Sequence, residues 1–329
     1  MKQTTRIAAL ILAAVMALGA GCATQTTPAN DVPQIGIIQL VTHKALDDAR
    51  EGFIAALAEN GFNDGAEINI DFQNAMGDMS NLSTISDQFV NGGVDLVLAI
   101  ATPAAQAIAS KTAEIPIVAT AVTSFADAGL AESDEAPGAN VTGTSDMNPV
   151  AAQIGLIKDF FPDAATIGLI YNSGESNSVL QIDIAKEAAA ALGLEWVEAT
   201  VTSTNDVQQV MQSLVTECDV IYLPTDNTIS SSMATVSAVA IEAGIPTICG
   251  ESNQVLEGGL IAMGINYFDI GFNAGLMAVE ILNGANPAEM AIRFADDSGD
   301  IAINGFTAEE LGFTVPEAFA EFVVFPEAE

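Results

Sequence analysis

Basic residues are scarce in this sequence: 8 Lys and Arg stand against 43 Asp and Glu, a formal net charge of −35 over 329 residues. Lys2 and Arg6 sit at the extreme N-terminus, leaving only Lys44, Arg50, Lys111, Lys158, Lys186 and Arg293 for the rest. So acidic a surface repels phosphate, which argues against nucleic acid and anionic lipid as partners. The acidic residues are spread along the whole chain, and solubility, including solubility in a saline medium, accounts for most of them. Histidine occurs once, at His43, and cysteine three times, at Cys22, Cys218 and Cys249. That inventory is too thin for a transition-metal centre and leaves His43 as the one candidate base for a Ser-His-Asp arrangement. No P-loop lysine and no glycine fingerprint follows a strand, so no nucleotide and no cofactor is expected. Together these absences argue against an enzyme.

Long apolar runs are also missing. The one candidate, Ile7 to Leu18, spans 12 residues, too few to cross a bilayer but typical of an export signal. Gly19, Ala20 and Gly21 follow, then Cys22. Small residues before a lone Cys match a bacterial lipoprotein cleavage site, with Cys22 carrying the lipid. Leu18 sits one place earlier than the usual leucine, and a plain secretory signal with an incidental Cys is the competing interpretation. Residues 1–22 are therefore expected to be a signal peptide and 23–33 a flexible tether.

What the sequence does contain is a repeated strand-then-helix pattern. Ile35-Gly36-Ile37-Ile38 and Ile167-Gly168-Leu169-Ile170 are short apolar strands 132 residues apart. Asp95 in VDLVLAI and Asp219 in CDVIYL lie 124 residues apart; the steps Ile115-Pro116 and Ile245-Pro246 lie 130 apart. Three landmarks in order at near-constant offset indicate a duplicated βαβ unit. Alternating β and α segments imply parallel sheets covered by helices, with ligands beyond the carboxyl ends of the strands. Cys218 begins one predicted strand and Cys249 ends its neighbour, roughly 15 Å apart at about 3.3 Å per residue, so two buried free thiols are expected rather than a disulfide. Trp196 is expected to pack within the second lobe.

Six polar loops follow the strands: residues 39–43, 101–106 and 121–124 in the first half, and 172–178, 225–228 and 250–253 in the second. Several lead straight into helices, so free N–H groups face the cleft. Thr102, Asn177 and Thr228 are candidate N-caps, and capping alone would account for them. The first-half loops offer hydroxyls and helix N-termini, suited to a carboxylate. The second-half loops add Glu175, Asp226 and Glu251, suited to an ammonium group. A zwitterion bridging the halves would give a reason for closure, and a free amino acid fits. A sugar is the alternative, with Tyr171, Phe125, Tyr267 and Phe268 as the aromatic platforms near the cleft.

At these loops the sequence resembles a known family. IGIIQLVTHKALDDAREGF, DFQNAMGDMSNL, VDLVLAIATPAAQA, NVTGTSDMNPV, IGLIYNSGESNS, YLPTDNT and GINYFDIGFNAG, in that order, are similar to ABC-transporter substrate-binding proteins of the tryptophan/tyrosine type. The resemblance implies an α/β type I periplasmic binding fold: two Rossmann-like lobes with parallel sheets joined by a three-crossing hinge. It maps the binding loops to Thr102, Ala104, Thr123, Asn172, Glu175, Ser176, Asn177, Asp226, Asn227 and Glu251, with Gln39, His43 and Tyr171 as further cleft contacts. Glu251 stands where many relatives carry Asp, which bears on ligand choice. Crossings are expected near 143–148, near 248–253 and after a helix at 267–283. Lobe I is then 34–145 plus 252–291, and lobe II is 146–251 plus 292–329. The implied function is extracytoplasmic capture of a small molecule by a monomer anchored through Cys22, which serves the permease and ATPase of an ABC importer. A ligand-sensing partner of a membrane receptor is the alternative role.

Overall fold

The computed structural model describes residues 32–295 and 299–326. The signal peptide, Cys22 and nearly all of the tether lie outside the described residues. Within the described residues, no helix is long and apolar enough to cross a membrane.

The first lobe begins with β1 (Gln34–Gln39), α1 (Lys44–Glu59), β2 (Asn69–Asn74), α2 (Met79–Gly92), β3 (Leu96–Ile100), α3 (Thr102–Ala109), β4 (Ile117–Val122) and β5 (Val141–Ser145). The chain then enters the second lobe with α4 (Val150–Phe160), β6 (Thr166–Asn172), α5 (Ser176–Ala191), β7 (Glu195–Val201), α6 (Thr204–Leu214) and β8 (Val220–Leu223). That lobe continues through α7 (Asn227–Ser230), α8 (Met233–Ala243), β9 (Thr247–Cys249), α9 (Ser252–Leu256) and β10 (Ile261–Gly264). Helix α10 (Tyr267–Leu282) and β11 (Arg293–Phe294) return to the first lobe; β12 (Asp300–Asn304), α11 (Gly305–Glu310) and β13 (Val323–Val324) complete the second. The sheets run β11-β5-β4-β3-β1-β2 and β13-β12-β10-β9-β8-β6-β7. All pairings are parallel except β10 with β12. The central strands are buried on both faces, as their unbroken apolar runs require.

The duplication is structural. Asp95 accepts the Gln34 N–H at 2.7 Å, and Asp219 accepts the Thr166 N–H at 2.9 Å. Gln34 and Thr166 each open the first strand of a lobe, so one carboxylate per lobe ties two parallel strands together at their starts. Gly36 and Gly168 are also equivalent: a β-carbon at the first would lie 2.7 Å from the Phe89 ring, and at the second 2.8 Å from Cys218 Sγ. Each glycine lets the covering layer lie directly on the strand.

Three crossings join the lobes, and one falls elsewhere than the sequence suggested. The first runs from β5 to α4, through residues 146–149, as expected. The second lies between Gly264 and Tyr267, not at 248–253. Residues 252–264 therefore belong to the second lobe, because β10 pairs with both β9 and β12. Its four residues are too few to announce a strand. Gly258, at φ 109, turns the chain back beside β9 after α9. The third crossing follows β11, which pairs with β5, so residues 293–294 stay in the first lobe.

Helix α10 packs along α1 at close range. A β-carbon at Gly271 would overlap the Ala49 carbonyl oxygen, and one at Gly52 would overlap that of Phe268. Leu311 and Phe313 pack against the second-lobe core. Cys218 and Cys249 are buried free thiols. Leu223 is the register partner of Cys249, which places Cys218 about 16 Å away along the strand direction. Trp196 does not pack inside: it sits 40% exposed on the edge strand β7.

Candidate ligand-binding cleft

The carboxyl ends of both sheets converge on one small, tightly closed cavity. His43, Leu46 and Ala121 line it from the first lobe; Asn177, Thr225, Asp226, Asn227, Ser230 and Glu251 from the second; Asp146 and Tyr267 from the crossings.

In the second lobe most of the polar groups are spent on one another. Pro224 ends β8, and Asp226 caps α7 by accepting the Ile229 N–H at 2.9 Å. Its other oxygen accepts the Asn172 N–H at 2.6 Å, tying the end of β6 to the same turn. Glu175 reaches across to cap α7 a second time. It accepts from the N–H and side-chain amide of Asn227 through Oε2, and from the N–H and hydroxyl of Thr228 through Oε1. Both carboxyls are fully buried. Burial raises each above the ordinary carboxylate range, Glu175 to about 7 with the neighbouring Asp226 adding to the effect. The N-caps at these loops are Glu175, for α5, and Asp226, for α7; Asn177 and Thr228 lie inside those helices.

Glu251 is different. Its Oε1 accepts the Ser230 hydroxyl at 2.6 Å, but Oε2 is buried without a hydrogen-bond partner. Burial pushes its carboxyl up to about 8. Asn177 donates through Nδ2 to the Thr225 carbonyl at 3.1 Å, and its Oδ1 is also buried and unpartnered. Two acceptors without donors therefore belong to residues lining one cavity.

In the first lobe, Thr102 is the first residue of α3, and its buried hydroxyl has no partner. Ala101, with φ 85, caps that helix, and Ala121 has φ 55. Such torsions are costly for residues carrying a β-carbon and concentrate where function demands them. Thr123 donates to Asp146 Oδ1 at 2.9 Å. His43 Nε2 lies 3.2 Å from Asn227 Oδ1 across the cleft, and burial lowers its pKa to about 4, so the ring is a neutral donor. Asn253 also crosses the cleft, donating to Asp48 at 3.2 Å. The two lobes are closed on each other.

Four residues expected at the site are placed elsewhere. Ala104 is part of the first-lobe core. Ser176 is exposed. Gln39 turns into its own lobe, bonding Val41, Asp47 and Arg50. Tyr171 points away, its hydroxyl donating to Glu198 at 3.1 Å. Asn172 bonds Thr228 and Glu175 within the loop cluster. Asp146 and Tyr267, absent from the expected binding set, line the cavity because the crossings pass directly behind it.

These features define a two-lobed solute-binding module. Residues 34–322 match the family model described as ABC transporter substrate binding protein. The chain belongs to that family. It is 41% identical over 323 residues to a tyrosine-binding protein of Clostridioides difficile strain R20291, covering 94% of this chain and 93% of the relative. A Streptococcus pneumonia domain crystallised in complex with L-Trp is 38% identical, with TM-score 0.85 over 89% of this chain and 99% of its own. A substrate binding protein with adhesive properties from Clostridium difficile, in its ligand-free, open state, is 45% identical, covers 90% of this chain and 100% of its own, yet scores only 0.68. The more similar sequence superposes less well, as a different lobe angle requires, in agreement with the closed lobes seen here.

Proposed function

We propose that this chain captures a free aromatic amino acid outside the cytoplasmic membrane and delivers it to the permease and ATPase of an ABC importer. The ligand ammonium would take the unpartnered Oε2 of Glu251 and Oδ1 of Asn177, while its carboxylate would meet the Thr102 hydroxyl at the start of α3. The observation that carries this assignment is the pair of buried acceptors without donors in a cavity lined by no Lys or Arg among the described residues. A neutral sugar could satisfy an acceptor, but only a cationic group can pair with Glu251 in its ionised form. Leu46, Ala121 and Tyr267 supply apolar contact for the ligand side chain. The names of the two amino-acid-binding relatives point to tyrosine or tryptophan. Asn172, Glu175, Asp226, Asn227 and Thr123 hold the loops that present these groups.

Calorimetric titration of the chain without residues 1–22 tests this. Saturable binding of L-tyrosine or L-tryptophan is expected, with none by the N-acetylated form, which lacks the ammonium. Binding of a sugar and of no amino acid would overturn the assignment. Anchoring through a lipid on Cys22 is part of the same proposal. Cys22→Ser is expected to move the exported protein from the membrane fraction to the soluble one; retention in the membrane would refute the anchor.

A further inference from the structure

Gln254, in α9, uses both protons and the oxygen of its amide. Its Oε1 accepts the Gly250 N–H at 3.1 Å. Its Nε2 donates to the Pro224 carbonyl and to Ser230 Oγ, each at 3.0 Å. The two backbone groups fix which way round the amide lies: turned over, it would set its oxygen against the Pro224 carbonyl and its NH₂ against the Gly250 N–H. Ser230 therefore receives a proton from Gln254. A hydroxyl has one proton of its own to give, and that of Ser230 goes to Glu251 Oε1 at 2.6 Å. Gln254, Ser230 and Glu251 are all buried, so the chain itself sets the order of donors and acceptors.

The backbone beside Glu251 is held without Gln254. The Gly250 N–H also donates to the Leu223 carbonyl at 2.6 Å, and the Gly250 carbonyl accepts from Gln153 Nε2 at 3.0 Å. Gln153 is itself anchored, donating to the Met263 carbonyl at 2.6 Å and accepting the Tyr222 hydroxyl at 2.8 Å. The turn that carries Glu251 thus keeps its place through β8, β10 and α4. What Gln254 alone supplies is the donor to Ser230. Without that donor Ser230 has a competing acceptor in its own helix. A serine hydroxyl can bond back to the carbonyl four residues earlier, here that of Asp226, which already accepts the Ser230 N–H at 2.8 Å. A proton donated into the Ser230 oxygen holds the hydroxyl toward Glu251, and bonds in such a series strengthen one another.

We infer that Gln254 is a positioning residue of the ligand site: by donating to Ser230 it directs the Ser230 proton onto Oε1 of Glu251. Oε1 is then engaged within the protein, and Oε2, the oxygen without a partner, is the one presented to the ligand. Every member of this relay belongs to the second lobe, so it is in place before the lobes close. The inference deepens the assignment of Glu251 to the ligand ammonium and rests on it for any effect on affinity; the relay itself does not depend on a ligand.

A double-mutant cycle read by calorimetric titration tests the inference, with whichever of L-tyrosine and L-tryptophan the parent chain binds. Gln254→Met keeps the length of the side chain and removes its amide; it should weaken binding by about tenfold. In a Ser230→Ala background the same change should cost less than about twofold, because the hydroxyl that Gln254 directs is gone. Equal losses in the two backgrounds would mean that Gln254 only supports the fold, and overturn the inference. The pH profile supplies a readout that a purely structural role would not move. A carboxylate that loses a donor is protonated more readily, so the acid limb of the affinity should move to higher pH in both Gln254→Met and Ser230→Ala; an unmoved limb overturns the inference too. Neutron diffraction from the deuterated parent chain needs neither a variant nor a ligand. One Gln254 amide deuteron is expected on the line to Ser230 Oγ, and the Ser230 deuteron on the line to Glu251 Oε1. A Ser230 deuteron aimed at the Asp226 carbonyl, or a deuteron on Glu251 Oε1 aimed at Ser230, refutes the relay. Failure there is distinct from failure of the amino-acid assignment, which would show as an absence of binding by the parent chain.

Discussion

Glu251→Gln is expected to weaken binding of L-tyrosine or L-tryptophan by about 30- to 1,000-fold, equivalent to about 2–4 kcal/mol, mostly through faster dissociation. The substitution preserves shape and leaves an amide oxygen to accept from Ser230. It then turns an NH₂ group toward the ligand ammonium, so a buried charge-assisted hydrogen bond becomes two donors facing each other. Glu175→Gln provides the contrast. Both Glu175 oxygens already accept from the N–H and side-chain groups of Asn227 and Thr228. Its loss should therefore lower the unfolding temperature while changing affinity by less than about tenfold, because the α7 turn is disturbed but no ligand-facing acceptor is removed. Equal losses of affinity in the two variants would mean that the free oxygen of Glu251 is not the ligand's handle. Surface plasmon resonance, which separates association from dissociation, is the measurement that distinguishes them.

Much of this architecture could be read from residue order. Two apolar strands with glycine in second place, two opening aspartates and two Ile-Pro steps marked the duplication, and the structure gives each pair one shared role, Pro116 and Pro246 accepting the N–H of Val97 and of Ile221 from the neighbouring strand. Of the residues named from the strand-end loops, Asn177, Asp226, Asn227 and Glu251 line the cavity. The sequence could not reveal how the polar atoms there are used. An acid after a strand may cap a helix or face a ligand; Glu175 and Asp226 do the first because α7 starts within reach of both, and only Glu251 retains an open oxygen. Tyr171 failed as a contact through strand parity: its side chain leaves the sheet toward Glu198 rather than the cleft. Asp146 and Tyr267 are 121 residues apart, and nothing local predicts that two crossings bring them to one hydroxyl bond. The second crossing was misplaced for an equally physical reason, since a four-residue strand has too little periodicity to be distinguished from a loop.

The buried acids also set an unusual dependence of stability on pH. Asp146, Glu175, Asp226 and Glu251 all have raised pKa values in the folded chain, burial being the largest cause in each. An acid raised on folding holds its proton in the native state at a pH where the unfolded chain has released it. The native state then binds more protons than the unfolded one, and stability falls as pH rises from the unfolded value to the folded one. For Glu251 that window runs from 4.5 to about 8, and for Glu175 from 4.5 to about 7. His43 acts oppositely: its pKa falls from 6.5 to about 4, so it favours folding progressively as pH rises across that lower interval. Above about pH 7.5 His43 is almost wholly neutral in both states and only the acids contribute. Ligand-free protein is therefore expected to lose roughly 1–2 kcal/mol of stability between pH 6.5 and 8 on account of Glu251 alone. Repulsion within the acidic surface acts in the same direction but is screened by salt. Urea unfolding at high ionic strength, compared between the parent chain and Glu251→Gln, isolates the buried group: the parent should decline more steeply, and the difference should close only well below pH 4.5, where Glu251 is protonated in both states. Parallel curves would mean that Glu251 is already ionised in the ligand-free fold. A saturating amino acid should stabilise the chain most at the alkaline end, where the vacant carboxylate is most costly to bury and the ligand ammonium balances it.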